Sequence, residues 1–382
     1  MLKFFRFNFS KDFKALCIYN MIASLADGMV GLFLPIFLFE KFGNSIHWVI
    51  IFYVIGHGLY GILAPIGAMW MSKIGLKKSI IIARFFIIPF YLCLYFFSNN
   101  PLIFAILANI VLLAFRLFYW VPYHVDFVKF TDGKSRGKQM AYLTVLGYLI
   151  SIGAPLMAGV LLSQSSFEIL FMIAMVILTI AIIPLFKISE TKARFEYSYF
   201  GSWKELFKKS RRHTMVAYMA DGAQDLVGIV IWPIFIYQIL EKQYLAVGAI
   251  TALIIIGTVV LQIFVGEYTD KFPKRKMVKT GSILYALGWF LKAFAGTTFQ
   301  IFVVGAFHNF TSIIFRTPFD ALYYERSADH GSYIDEYTVL KEMSLGIGRI
   351  LMGIILIFLV STVSLKFAFP IAALISLFVN LL

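Results

Sequence analysis

The residues whose type and spacing could do chemistry are charged groups set inside apolar sequence. Asp27 stands midway through an apolar run, and Asp221 and Asp225 stand four residues apart in another. On a helix, that second pair shares one face. A charge inside an apolar segment is costly and is kept where it meets a cavity, an ion path or a partner. A carboxylate so placed can bind a proton or a cation; the plainer role is a hydrogen bond to a neighbouring helix. Arg116 precedes Tyr119, Trp120 and Tyr123, while Arg316 follows His308. An arginine can hold an anion through paired hydrogen bonds, or pair with an aspartate and release it on protonation. The aromatic trio could wall a cavity, and His308 could relay a proton or serve only as a hydrogen-bonded core residue.

Other chemistries lack their residues. No glycine-rich loop ends in Gly-Lys-Ser/Thr, and no metal-ligand pair occurs at helical spacing. Cys17 and Cys93 lie in separate apolar runs, which gives no disulfide framework. The sequence therefore predicts neither an enzyme nor a bound cofactor.

The elements that must position these groups follow from composition. Hydrophobic residues make up 60% of the 382 and charged residues 14%, with a mean hydropathy of +0.85. A soluble domain carries roughly 25% charged residues, so a water-soluble fold is excluded. Twelve apolar segments are expected to be membrane helices. They are Ala15–Phe39, Ile46–Met71, Ser79–Phe97, Leu102–Val121, Met140–Leu162 and Phe167–Leu185, then Thr214–Leu240, Leu245–Tyr268, Thr280–Ala295, Phe299–Tyr323, Tyr337–Val360 and a short Phe367–Leu382. Barrel strands would instead be about 10 residues long and alternating.

Basic residues collect in alternate loops, for example Lys73, Lys77 and Lys78, and Lys271, Lys274, Arg275 and Lys276. The opposite loops hold Lys41, Lys242 and Lys366. The positive-inside rule then places both termini in the cytoplasm of a plasma (inner) membrane. The formal charge of +14 faces anionic lipid headgroups, and nucleic acid is not an expected partner. Between the halves lies one long polar stretch, Lys187–His213. Its Phe200, Trp203, Leu206 and Phe207 have helical spacing among lysines, as in a helix lying on the membrane face; a solvated tether fits as well.

The two halves repeat. Leu34-Pro35-Ile36-Phe37 matches Trp232-Pro233-Ile234-Phe235 at an offset of 198 residues, and the lysine loop after Ser72 recurs after Asp270 at the same offset. Two parallel six-helix repeats place a binding site near the bilayer midplane where they meet. The expected organisation is a first bundle over 1–186, a linker over 187–213 and a second bundle over 214–382.

On these residues the chain resembles the major facilitator superfamily along its full length. The family signature between its second and third helices, and again between its eighth and ninth, is matched by Gly266, Asp270, Lys271 and Arg275, with Pro273 in a glycine position. The first copy keeps Lys73, Gly75 and Lys77 but has Ser72 where the acid is expected. The resemblance implies an all-α membrane fold of two pseudo-symmetric bundles, a cavity lined by the first and seventh helices, and loops that latch the cytoplasmic side. It also implies a monomeric secondary transporter with a small-molecule substrate. Asp27, Asp225 and Asp221 make the proton the expected coupling ion. Acidic and aromatic candidates tilt the expected substrate towards export of a cationic or amphipathic compound. Arg116 and Arg316 keep a sugar or organic-anion symporter open, and a lipid flippase or membrane scaffold is the alternative of another class.

Overall fold

The computed structural model describes residues 10–130, 136–190, 194–269, 273–329 and 334–381. The apolar segments are twelve helices in two six-helix bundles. The first bundle holds α1 (Lys11–Lys41), α2 (Ile46–Ile74), α3 (Leu76–Tyr95), α4 (Pro101–Phe130), α5 (Arg136–Gln164) and α6 (Phe167–Leu185). The second holds α7 (Arg212–Ile239), α8 (Tyr244–Thr269), α9 (Lys274–Lys292), α10 (Thr298–Asp329), α11 (Ile334–Thr362) and α12 (Leu365–Leu381). Among the described residues, nine helices are long and apolar enough to span a bilayer. Helices are the solution because lipid offers backbone groups no partner, so each segment must satisfy its own. The outer faces stay apolar: α6 turns Val176, Ile180 and Ile183 outward and buries Leu170, Ala174 and Leu178.

The repeat seen in the sequence is a repeat of backbone shape. Pro35 cannot donate to the carbonyl of Gly31, and α1 breaks between Gly31 and Leu34. Pro233 sits in the same register of α7, where a π-helical turn spans Val227–Ile231. Both helices then end in one turn geometry. Gly43 and Asn44 have φ of 65° and 63°, and Glu241 and Lys242 have 51° and 63°. The closing hydrogen bonds correspond, Asn44 N–H to Phe39 O at 2.8 Å and Lys242 N–H to Tyr237 O at 2.9 Å.

The bundles meet along two seams, α2 against α11 and α5 against α8. Close approach depends on missing side chains. A Cβ on Gly61 would stand 2.7 Å from the Cα of Gly346, and one on Gly159 would stand 2.8 Å from the carbonyl oxygen of Tyr244. We call the end with the Lys187–His213 stretch the linker end and the other the hairpin end. Within that stretch a helix spans Tyr199–Leu206, capped by Ser198, whose Oγ accepts from Gly201 N–H at 3.1 Å.

Candidate functional site

A cavity of about 340 Å³ lies between the bundles. The first bundle lines it with His57 and Tyr60 of α2 and Trp120 and His124 of α4. The second supplies Asp221 and Asp225 of α7, Arg316 of α10, and Lys341, Glu342, Leu345 and Arg349 of α11. Its volume falls in the small-molecule range, roughly 300–1,000 Å³. Trp120 stacks on His124 with ring centres 5.9 Å apart, which gives the cavity a flat aromatic surface.

On the second-bundle side every α7 acid is tied. Arg316 grips Asp221 with both terminal nitrogens, at 2.9 and 3.1 Å. Gln224 donates to the same carboxylate at 2.8 Å. Its amide is fixed in that orientation because its oxygen accepts from Tyr285 at 2.5 Å and from Trp289 Nε1 at 3.0 Å. One turn on, Asp225 accepts from Arg349 at 2.8 Å. These are short charge-assisted bonds, stronger than hydrogen bonds between neutral groups.

The first bundle is built differently. Arg84 of α3 is buried and meets no carboxylate within ion-pair distance among the described residues. It donates instead to the Tyr19 hydroxyl, with 2.6 Å from Nε. Its guanidinium lies 4.9, 5.3 and 4.5 Å from the ring centres of Tyr19, Phe115 and Tyr119. The Tyr19 hydroxyl in turn donates a hydrogen bond to the Tyr119 hydroxyl at 2.8 Å. Asp27 lies on a polar stripe of α1 with Asn20 and Ser24, and Asn20 accepts from Tyr123 of α4 at 3.1 Å. Asp27 is accessible. It is within electrostatic reach of Arg84 but has no hydrogen bond or ion pair with any described residue.

The structure thus gathers Asp221, Asp225, Arg316 and Trp120 at one cavity. Arg116 stands behind that wall, its Nη2 3.2 Å from His57 Nε2. Tyr119 and Tyr123 belong to the Arg84 and Asn20 contacts. His308 lies away from the cavity, packed between Tyr285 and Trp289, each with ring centres 4.4 Å from it. At the linker end, Gly75 takes φ 97° in the turn from α2 to α3. Lys77 donates to the Phe186 carbonyl at the end of α6, at 2.8 Å. Lys73 and Arg275 are exposed. Gly266, Asp270 and Lys271 lie outside the residues whose side chains are described.

Sequence reading passed over several groups. Arg84, Gln224 and Lys292 are buried polar residues in spans, the very signal used to select Asp27. Lys292 Nζ lies over the rings of Trp232 and Trp289, at 4.3 and 4.1 Å. Glu40, at the hairpin end of α1, accepts from Tyr237 of α7 and from Tyr244 of α8, the latter at 2.7 Å. Nearby His47 of α2 bonds Ser361 of α11 at 2.9 Å. Both contacts join the bundles at that end.

Comparison with known proteins agrees with this architecture. The nucleoside transporter NupG, solved as a point mutant, superposes with a TM-score of 0.70 at 13% identity, over 96% of this chain and 98% of NupG. FucP, a Major Facilitator Superfamily transporter in the outward conformation, superposes at 0.65 with 14% identity, over 96% of each chain. An uncharacterised Bacillus subtilis (strain 168) protein, YqgE, is 23% identical over 291 residues, which cover 74% of this chain and 66% of YqgE. The Major Facilitator Superfamily family pattern matches residues 16–220 and 214–382. The chain belongs to that superfamily and is a transporter of its kind.

Proposed function

We propose that the chain is a proton-coupled carrier that moves a small polar solute by alternating access, with Asp27 as its protonation site. One contrast carries this reading. Asp221 and Asp225 are committed to arginines, whereas Asp27 is accessible and has no hydrogen bond or ion pair among the described residues. A carboxylate held by a guanidinium and an amide has little reason to exchange a proton in each cycle. An acid on an open polar stripe can do so, and can change partners when it does. Glu40 and His47 join the bundles at the hairpin end, which supports loading of the cavity from the linker end in this conformation. Rocking of the bundles about the two seams would reverse that access.

The cavity supports a neutral solute better than the cationic or amphipathic compound favoured by the acids alone. Among the described residues its lining sets three acids, Asp221, Asp225 and Glu342, against three bases, Arg316, Lys341 and Arg349, with no surplus of either sign. A ring-shaped polar solute, a sugar or nucleoside, could stack on Trp120 and draw hydrogen bonds from this balanced wall. The nucleoside-transporter neighbour supports that class. Cation export rests on Asp27 and organic-anion uptake on Arg116; both remain arms of the test.

The positive-inside distribution further supports cytoplasmic termini in the plasma membrane. The bundle limits 1–186 and 214–382 and a monomeric unit complete the proposal. Thermal stabilisation of the purified protein by sugars, nucleosides, organic anions and cationic amphiphiles, at two pH values, tests the substrate class. Saturation at 100 times Kd should add about 2.7 kcal/mol. Stabilisation by cationic amphiphiles alone would overturn the neutral-solute reading.

A further inference from the structure

We infer that the linker helix Tyr199–Leu206 is a docking surface for anionic lipid headgroups at the linker end of the membrane domain. The helix has two distinct faces. Ser202 and Leu206 are buried, 0% and 1% exposed, where the helix packs on α2 and α11. Phe200 and Phe207 point away, 80% and 66% exposed. Trp203 bridges the faces and stacks on Phe207 with ring centres 6.2 Å apart. A short helix that, with its C-cap Phe207, leaves two phenylalanines outside the fold is suited to place them in something less polar than water.

Charge around those rings identifies the partner. Lys204, Lys209 and Arg212 are exposed and have no ion pair among the described residues. The neighbouring acid is already occupied, because Glu205 is bonded by Lys208 and by Arg211, the latter at 2.8 Å. Among the described residues the rings are thus flanked by cations that have no ion pair, beside an acid that is already bonded. Aromatic side chains between lysines, on a protein that crosses the bilayer beside them, fit a surface of acyl chains below and phosphate groups above.

The irregular segment leading into this helix is fixed to the second bundle. Backbone N–H groups of Arg194 and Glu196 donate to Asp335 and Glu336 in the first turn of α11, each at 2.9 Å. The docked helix is therefore held at one height against the bundle, and its outer face meets the headgroup layer instead of drifting in solvent.

The test places an environment-sensitive bimane on Phe200→Cys; native Cys17 and Cys93 are buried. The labelled protein is compared in nanodiscs of phosphatidylcholine alone and with increasing phosphatidylglycerol. The expected result is a blue shift and protection from iodide quenching that grow with the anionic fraction. Each of Lys204→Gln, Lys209→Gln and Arg212→Gln should weaken that response roughly fivefold, and raised salt should weaken it further. Full iodide access in every lipid would overturn the proposal and make the segment a solvated tether. Equal blue shifts in both lipids would overturn the anionic part, leaving apolar anchoring alone. A shift seen only with two copies per disc would assign the face to a second copy.

Discussion

The two bundles repeat one backbone and treat their membrane-embedded acids differently. In the second, Asp221 and Asp225 are neutralised by Arg316 and Arg349, and Gln224 locks one of those pairs in place. In the first, the cation Arg84 is enclosed by aromatic rings and the acid Asp27 is left open. A duplicated fold constrains where helices bend and turn, because proline and turn geometry act locally. It does not constrain which buried charges find partners, because those contacts join different helices. The difference teaches that one bundle is a pre-organised wall and the other holds the group free to change state.

The largest effect should come from breaking that wall. Asp221→Ala leaves the partly exposed Arg316 guanidinium and the buried Gln224 amide without their shared acceptor, and leaving a buried donor unsatisfied costs about 1–3 kcal/mol. Thermal unfolding in detergent should show it, and Asp221→Ala combined with Arg316→Leu should recover much of the loss. If the double variant is no better than the single, the pair is not the wall's main tie.

A smaller loss is expected where the bundles touch. Glu40→Gln weakens the two tyrosine contacts from charge-assisted to neutral hydrogen bonds, worth about 1 kcal/mol. The more telling readout is access. A reagent applied from the hairpin side should reach Leu345→Cys, which lines the cavity, faster in the Glu40→Gln background. Equal rates would mean that the seams alone close that end.

The repeated turn gives an effect of opposite sign. Glu241 and Lys242 hold positive φ, which in the first copy falls to Gly43 and Asn44, residues that tolerate it. Replacing Lys242→Asn and Glu241→Gly should stabilise the protein by about 0.5–1 kcal/mol. A lower melting temperature would show that those side chains contribute more than their backbone strain costs.

Sequence legibility follows the same division between local and long-range causes. Pro35 and Pro233 marked the repeat, and the helix breaks, the turns and the hydrogen bonds that close them fall in that register. Asp27, Asp221 and Asp225 were legible because a charge in a span is conspicuous. Their states were not: Arg316 lies 95 residues from Asp221 and Arg349 lies 124 from Asp225. Glu40 and Tyr237 are 197 apart, and nothing local marks either as a contact between bundles. Arg84 escaped notice because it lies just inside a span that begins with lysines and reads as their continuation. Its cage uses Tyr19, 65 residues away, and Tyr119.

The smallest effect on stability and the largest on function should fall on one residue. Asp27 has no hydrogen bond or ion pair to lose among the described residues, so Asp27→Asn should change stability by no more than about 0.5 kcal/mol. The amide keeps the size and polarity of the acid but cannot exchange a proton, so accumulation of solute against a gradient should vanish. Exchange of solute across proteoliposomes at equal concentrations, which needs no net proton movement, should persist and lose its dependence on pH. Loss of both processes with a normal melting temperature would place Asp27 in solute binding instead of coupling. Accumulation at the wild-type level would remove it from the mechanism, and the comparison between the bundles would then turn on Glu342, the cavity acid that faces His124 across the bundles at 3.8 Å.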